Sequence, residues 1–166
     1  MKVWGDASSI ILLAKATLLK IACENTKIMM TGTTYHEATK KESKEDAKMI
    51  TNLKKRDRIH VVENPNNTEK FSDEYNLGMG EASVITAAGS NDGIVLTDDL
   101  RGLKAARANN IDRATAITAL VSMVEEEIVD KDKASDSLQI LEREGRYDTY
   151  IIDDGRKRIE RGEREE

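Results

Sequence analysis

Ile10, Leu13, Ala14, Thr17, Leu18, Ile21 and Ala22 recur at steps of three and four, with Lys15, Lys20 and Glu24 between them. That period predicts one long helix with a buried face, and Ser8 or Ser9 stands where its cap should be. Ahead of it, the apolar stretch beginning at Met1–Trp4 stops at Gly5 and Asp6, as a short strand does. Lys27–Met30 reads as a second strand, ended by Thr31 and Gly32. Thr34 to about Lys55 reads as charged helix with a break near Ser43, and His60–Glu63 as a third strand. Asn64–Asn76 holds the single proline, Pro65, beside two asparagines and reads as a surface loop. Gly78, Met79 and Gly80 lead into a small-residue helix, Glu81–Ala88, and Ile94–Thr97 is a fourth strand. Leu100–Ala108, Ala114–Glu127 and Ala134–Glu144 are helices, the last capped by Asp132 or Ser135, and Asp153–Gly155 is a turn. Short strands separated by helices need a parallel sheet sandwiched between helix layers. The fold class is α/β.

Composition narrows this picture. A chain of 166 residues, 39% hydrophobic and 34% charged, is the size and polarity of one globular domain. Residues 1–155 form that domain, and Arg156–Glu166, almost wholly charged, reads as a frayed tail. The longest apolar run, Ile10–Ala14, is far too short to cross a bilayer. No secretory leader pattern opens the chain, so a cytoplasmic location is the expectation. Cys23 is the only cysteine, which excludes an internal disulfide and a thiolate zinc cluster, and its apolar neighbours make it a core residue. Aromatics are only 4% of the chain, too few for a base-stacking RNA-binding sheet. A net charge of -5 opposes simple electrostatic capture of nucleic acid. Against that, Lys40, Lys41, Lys44 and Lys48, then Lys54–Arg58, then Arg101, Lys104 and Arg107 are bunched locally.

Candidate chemistry comes from where the acids fall. Ligands of an open parallel sheet bind beyond the carboxyl ends of its strands, where the strand order reverses. Asp6 follows the first strand and the Asp98/Asp99 pair follows the fourth. Glu37 is placed in the first turn of the helix after the second strand, and Glu81 in the first turn of the helix opened by Gly78–Gly80. All lie on one edge of the expected sheet. Gathered carboxylates repel one another unless a cation enters, and Mg²⁺ or Mn²⁺ suits an all-oxygen donor set. Each acid also has a duller role. Glu37 could complete a capping box with Thr34, Asp98 or Asp99 could cap the following helix, Glu81 could meet a helix dipole, and Asp6 could serve a turn.

The segments around these acids resemble PIN domains. Asp6-Ala7-Ser8-Ser9 with its aliphatic helix is similar to the family's opening, and Tyr35-His36-Glu37 to its Tyr-x-Glu. Gly80-Glu81-Ala82 resembles its Gly-Glu-Ala segment, and Thr97-Asp98-Asp99 its strand-ending Thr-x-Asp. The resemblance spans residues 1 to about 110, and the helical remainder looks like a prokaryotic branch allied to the toxins of VapBC toxin–antitoxin pairs. It implies a three-layer α/β/α sandwich with a mostly parallel central sheet and Mg²⁺- or Mn²⁺-dependent cleavage of single-stranded RNA. It also implies a homodimer and, for toxins, inhibition by a small antitoxin protein. A catalytic role is carried onto Asp6, Glu37, Glu81 and Asp99, and metal binding onto Asp6, Glu81 and the Asp98/Asp99 pair, of which one member should face the metal. Thr97 or Ser8 would orient the site by hydrogen bonding. Ser83 stands where the family often has another acid, which points to a single tightly held metal.

Other signals fail. Asp130-Lys131-Asp132 lacks the glycine and the closing glutamate of a calcium loop, and Gly78-Met79-Gly80 lacks the spacing of a dinucleotide fingerprint. Two rivals to a nuclease remain. One is an RNA-binding module that keeps the fold without cutting, suggested by the net charge and Ser83. The other is a receiver-like α/β protein, which would want a lysine after a late strand near the acids.

Overall fold

The computed structural model describes residues 1–162. In chain order the elements are β1 (Lys2–Gly5), α1 (Ala7–Lys15), α2 (Leu19–Asn25), β2 (Lys27–Thr31), α3 (Gly32–Thr39), α4 (Glu45–Lys55), β3 (Ile59–Val62) and α5 (Thr68–Tyr75). There follow α6 (Met79–Ser90), β4 (Ile94–Leu96), α7 (Leu100–Ala108), β5 (Arg113–Ala114), α8 (Ala116–Glu125), α9 (Lys131–Glu144) and α10 (Thr149–Arg161). The strands pair in the order β3-β2-β1-β4-β5, every pair parallel.

Side-chain alternation along these strands sorts the core into two layers. Ile28, Met30 and Leu96 face one cluster, built with Ile10, Leu13, Leu18 and Leu19 of the amino-terminal helices and Leu120, Leu138 and Ile152 of the carboxy-terminal ones. Trp4, Met29 and Val95 face the other, under α6 and α7, with Val84, Ile85 and Ala105. Helices therefore cover both faces of a parallel sheet, the expected three-layer sandwich. Strand order runs outward from β1 through β2 to β3, then jumps back to β4 on the other side of β1. The switch point lies between β1 and β4.

Several local expectations are corrected. The first helix is two, α1 and α2, because Thr17 adopts a left-handed φ of 60° and turns the chain between them. Asp6, rather than Ser8 or Ser9, caps α1, and Asp130, rather than Asp132 or Ser135, caps α9. Asn64–Asn76 contains helix α5, whose Phe71 and Tyr75 pack against the second cluster. The charged tail begins later than read: Asp153–Gly155 and Arg156–Arg161 belong to α10, which buries Ile152, Gly155 and Ile159 at steps of three and four. Residues 163–166 of that segment lie outside the described residues. No helix among the described residues is long and apolar enough to cross a membrane.

Candidate active site

The switch point sets Asp6 beside the end of β4. Its backbone N–H donates to Leu96 O at 3.0 Å, so the residue is fixed by the sheet itself. Only 3% of its surface is exposed. Oδ1 caps α1, accepting from Ser9 N at 2.8 Å and from Ser8 Oγ at 3.4 Å, while Oδ2 accepts from Thr97 Oγ1 at 2.6 Å. Capping and site placement are thus one arrangement. Thr97 also accepts from Asp99 N at 3.2 Å through the same hydroxyl, and so ties the first acid to the turn bearing the last.

Asp98 and Asp99 diverge as successive residues after a strand should. Asp98 accepts from Ser9 Oγ at 2.7 Å, Ala116 N at 3.2 Å and Tyr147 Oη at 2.6 Å. Those three donors bind α1, α8 and the connection before α10 to one carboxylate, which leaves it a fastening point between layers. Asp99 caps α7 through Oδ1, accepting from Arg101 N at 2.8 Å and Gly102 N at 3.2 Å. Its Oδ2 takes no hydrogen bond from α7, and its charge bears on Glu81. Asp98 is thus held by donors from three parts of the chain, and its charge bears on Asp6.

Glu37 is not in the first turn of its helix. The capping box of α3 is made by Thr31 and Thr34, and Glu37 lies one turn further on with no part in it. Its carboxylate rests against Gly80 instead: a Cβ there would sit 2.7 Å from Oε2. Glycine at this position is a matter of clearance, and it lets the start of α6 approach the acid of α3. A buried hydrogen bond of 2.6 Å between Thr31 Oγ1 and Ser83 Oγ locks the same two helices together, and Ser83 also donates to Gly80 O at 2.6 Å. Ser83 is a structural clasp. Glu81, in the first turn of α6, is half-buried on the neighbouring face.

The charges of these acids act on one another in pairs. Burial, then the charges of Asp99 and Asp6, push the Glu81 carboxyl up to about 7. Burial and the charge of Asp6 raise Glu37, against the opposing pull of His36 and Lys40. Burial raises Asp6 itself, opposed by its hydrogen bonds from Thr97 and Ser9, and Asp98 adds to the rise. Tyr147 is likewise raised, by burial and then by the Asp98 charge. The side chains do not form a ready cage: among the described residues no three His, Cys, Asp or Glu groups are spaced to hold an ion together. Like-charged carboxylates on rotatable stems separate to reduce their repulsion. The chemistry of the donor set still fits a hard divalent cation, since it offers carboxylate oxygens with excess negative charge. Cys23, the one thiol, is buried with its pKa pushed up to about 11.

A family model described as a PIN domain (DUF3368) matches residues 2–158. The chain belongs to the PIN-domain family. No curated protein matches it. Among solved structures, PAE2754 from Pyrobaculum aerophilum is similar, with 23% identity and a TM-score of 0.55 over 74% of this chain and 95% of that one. At that identity the likeness speaks for the fold, which is the three-layer PIN sandwich. PIN domains are generally nucleases.

Within this PIN domain, the charges of Asp99 and Asp6 bear on Glu81, that of Asp6 on Glu37 and that of Asp98 on Asp6. Sequence reasoning missed Ser9 and Tyr147, the two side chains that hold Asp98. Ser9 had a signal, since it follows Asp6 at capping distance. Tyr147 had none, lying 49 residues from its partner in the chain. His36 is exposed beside Glu37. Two concavities lie away from the acids. One, of about 360 Å³, is lined by residues such as Phe71, Thr86, Gly93 and Asn110. The other, of about 530 Å³, lies between α3 and α4.

Proposed function

We propose that this PIN domain is a divalent-metal-dependent endoribonuclease acting on single-stranded RNA. The observation that carries the reading is geometric: Asp6, fixed by Leu96 O, and Asp99, tied to it through Thr97 Oγ1, stand at the sheet's switch point, and the charges of both bear on Glu81. Asp6, Glu81 and Asp99 would hold Mg²⁺ or Mn²⁺. Bound there, such an ion supplies a water of lowered pKa and stabilises the departing oxygen of a phosphodiester. The chain's own residues do the rest. Thr97 and the α1 backbone fix Asp6 in one orientation, so its remaining lone pairs point where the hydrogen bonds leave them. Glu37, a carboxylate whose proton affinity is raised by its neighbours, is suited to take a proton at its Oε atoms. Arg101, whose charge opposes the rise at Glu81, and Lys40, beside Glu37, are placed to receive a phosphate.

The test is cleavage of a single-stranded RNA with Mn²⁺ or Mg²⁺. Asp6→Asn and Asp99→Asn should each lose at least about a hundredfold in rate while their melting curves stay cooperative. Undiminished cutting by the double variant would refute the assignment. Ser83 favours a second reading, an RNA-binding module that does not cut, because a hydroxyl clasp occupies the place of a further acid. RNA retention without turnover in Mn²⁺ would decide for it. The resemblance to VapBC toxins adds a homodimer, a small antitoxin partner and toxicity to the proposal. Growth arrest on induced expression, relieved by a small neighbouring gene product, tests the last two.

A further inference from the structure

We propose that the groove between α3 and α4 is a docking track for single-stranded RNA outside the cutting site, an inference that rests on the RNA-directed reading above. Residues 40–58 carry eight Lys and Arg against four Asp and Glu, a local surplus of four positive charges on a chain whose net charge is -5. Helix α4 buries Ala47, Ile50 and Leu53. That leaves Lys44, Lys48, Thr51, Asn52 and Lys55 at steps of three and four on another face. Lys48, Thr51, Asn52 and Lys55 face Tyr35 and Thr39 of α3 across a groove of about 530 Å³ that is also lined by the carboxylate of Glu42. Lys54 adds its ammonium over the Tyr35 ring, 5.4 Å from the centroid.

None of Lys40, Lys41, Lys44, Lys48, Lys55 or Arg56 takes part in an ion pair among the described residues. Lysines gathered on one helix face and ion-paired to no carboxylate repel one another unless an anion is near. The groove also has what phosphate attraction alone would not require: an aromatic ring, two hydroxyls and an amide, the groups that meet bases in sequence-tolerant single-strand binding. Lys48 and Lys55 stand about 10 Å apart along the helix axis at 1.5 Å per residue. That matches roughly three stacked nucleotides at about 3.4 Å each. Groove and acids share helix α3, where Glu37 lies between the groove-lining Tyr35 and Thr39. A strand held along α4 therefore leads toward the site at the sheet edge, and a chain with a net negative charge gains a positive approach to a negative pocket.

The test is fluorescence anisotropy with a labelled 20-nucleotide oligouridine, using full-length protein carrying Asp6→Asn so that the RNA stays intact. Adding Lys48→Glu and Lys55→Glu should weaken binding about tenfold or more at 50 mM salt and flatten the salt slope by about 1.4, the share of two phosphates. Lys48→Gln with Lys55→Gln should show a smaller loss in the same direction, which covers the case of a misfolded reversal. The control is Lys20→Glu with Lys70→Glu, the same charge change elsewhere on the surface. Equal weakening by control and groove variants, or none by the groove variants, overturns the track. So does a groove that binds poly-glutamate through these lysines while RNA affinity ignores them, since the occupant would then be an acidic protein segment. In the otherwise wild-type protein, Lys48→Glu/Lys55→Glu should still cut a five-nucleotide RNA at the parent rate. If the parent binds the long RNA through the groove but never cuts either oligomer, the track stands and the nuclease reading falls.

Discussion

Removing the charge of Glu81 should remove its share of a pH dependence of stability that the acid cluster creates. An ordinary glutamate titrates near 4.5, whereas Glu81 in the folded chain is pushed up to about 7 by burial and by the charges of Asp99 and Asp6. A carboxyl with a raised folded-state pKa holds its proton more tightly folded than unfolded. Its contribution is fully present below pH 4.5 and is lost as pH rises through 7. At about 1.4 kcal/mol per pKa unit, the interval corresponds to roughly 3 kcal/mol. Glu81 is only half-buried and solvent screens its neighbours, so about 1–2 kcal/mol is the figure to expect. Urea denaturation with a chelator present, at pH 5 and pH 8, measures it directly. For a domain of this size the same loss lowers Tm by roughly 2–8 °C. Glu81→Gln should be flatter across that interval by about the same 1–2 kcal/mol, while the contributions of Asp6 and Glu37, whose carboxyls are also raised, remain. Adding Mg²⁺ at pH 8 should recover stability in the parent and less in the variant. Identical pH dependence in the two proteins would refute the argument that these carboxylates repel one another in a shared pocket.

Further perturbations separate positioning from packing. Tyr147→Phe removes the shortest of three hydrogen bonds to Asp98 and should cost about 1.5–3 kcal/mol of stability. If Tyr147 positions the site, it should also lower the rate constant for RNA cleavage while leaving KM unchanged, and single-turnover kinetics would separate the two. Gly80→Ala brings a methyl to within 2.7 Å of Glu37 Oε2, the free end of a flexible side chain. It should shift Tm by under about 3 °C yet reduce cleavage, because the carboxylate is what moves. Gly93→Ala meets the Trp4 ring at 2.7 Å and Lys2 O at 2.9 Å, neither of which yields easily. A loss of about 1–3 kcal/mol in urea denaturation is expected.

Local pattern determined much of this protein. Hydrophobic period and small-residue boundaries placed β1, β2, β4 and α7 in the chain, and strands alternating with helices require a parallel sheet covered on both faces. An acid directly after a strand of such a sheet lies at its binding edge whatever the rest of the chain does, so Asp6 and the Asp98/Asp99 pair were legible. Glu37 and Glu81 were legible as members of the set, although the position of Glu37 within its helix was not, because the capping competition among Thr31, Thr34 and Glu37 is settled only by geometry. Elsewhere the signal was too weak or hidden. Strand β5 is two residues long and exists through its pairing with β4. Helix α5 is polar apart from the side chains it lays on α6, and α10 carries an apolar stripe under a density of charge that reads as tail. Tertiary contact alone gave Asp98 its partners. Three donors from distant parts of the chain claim that one carboxylate, and the charge of its neighbour bears on Glu81. A sequence fixes which residues follow a strand, but which oxygen remains free depends on what folds back against it.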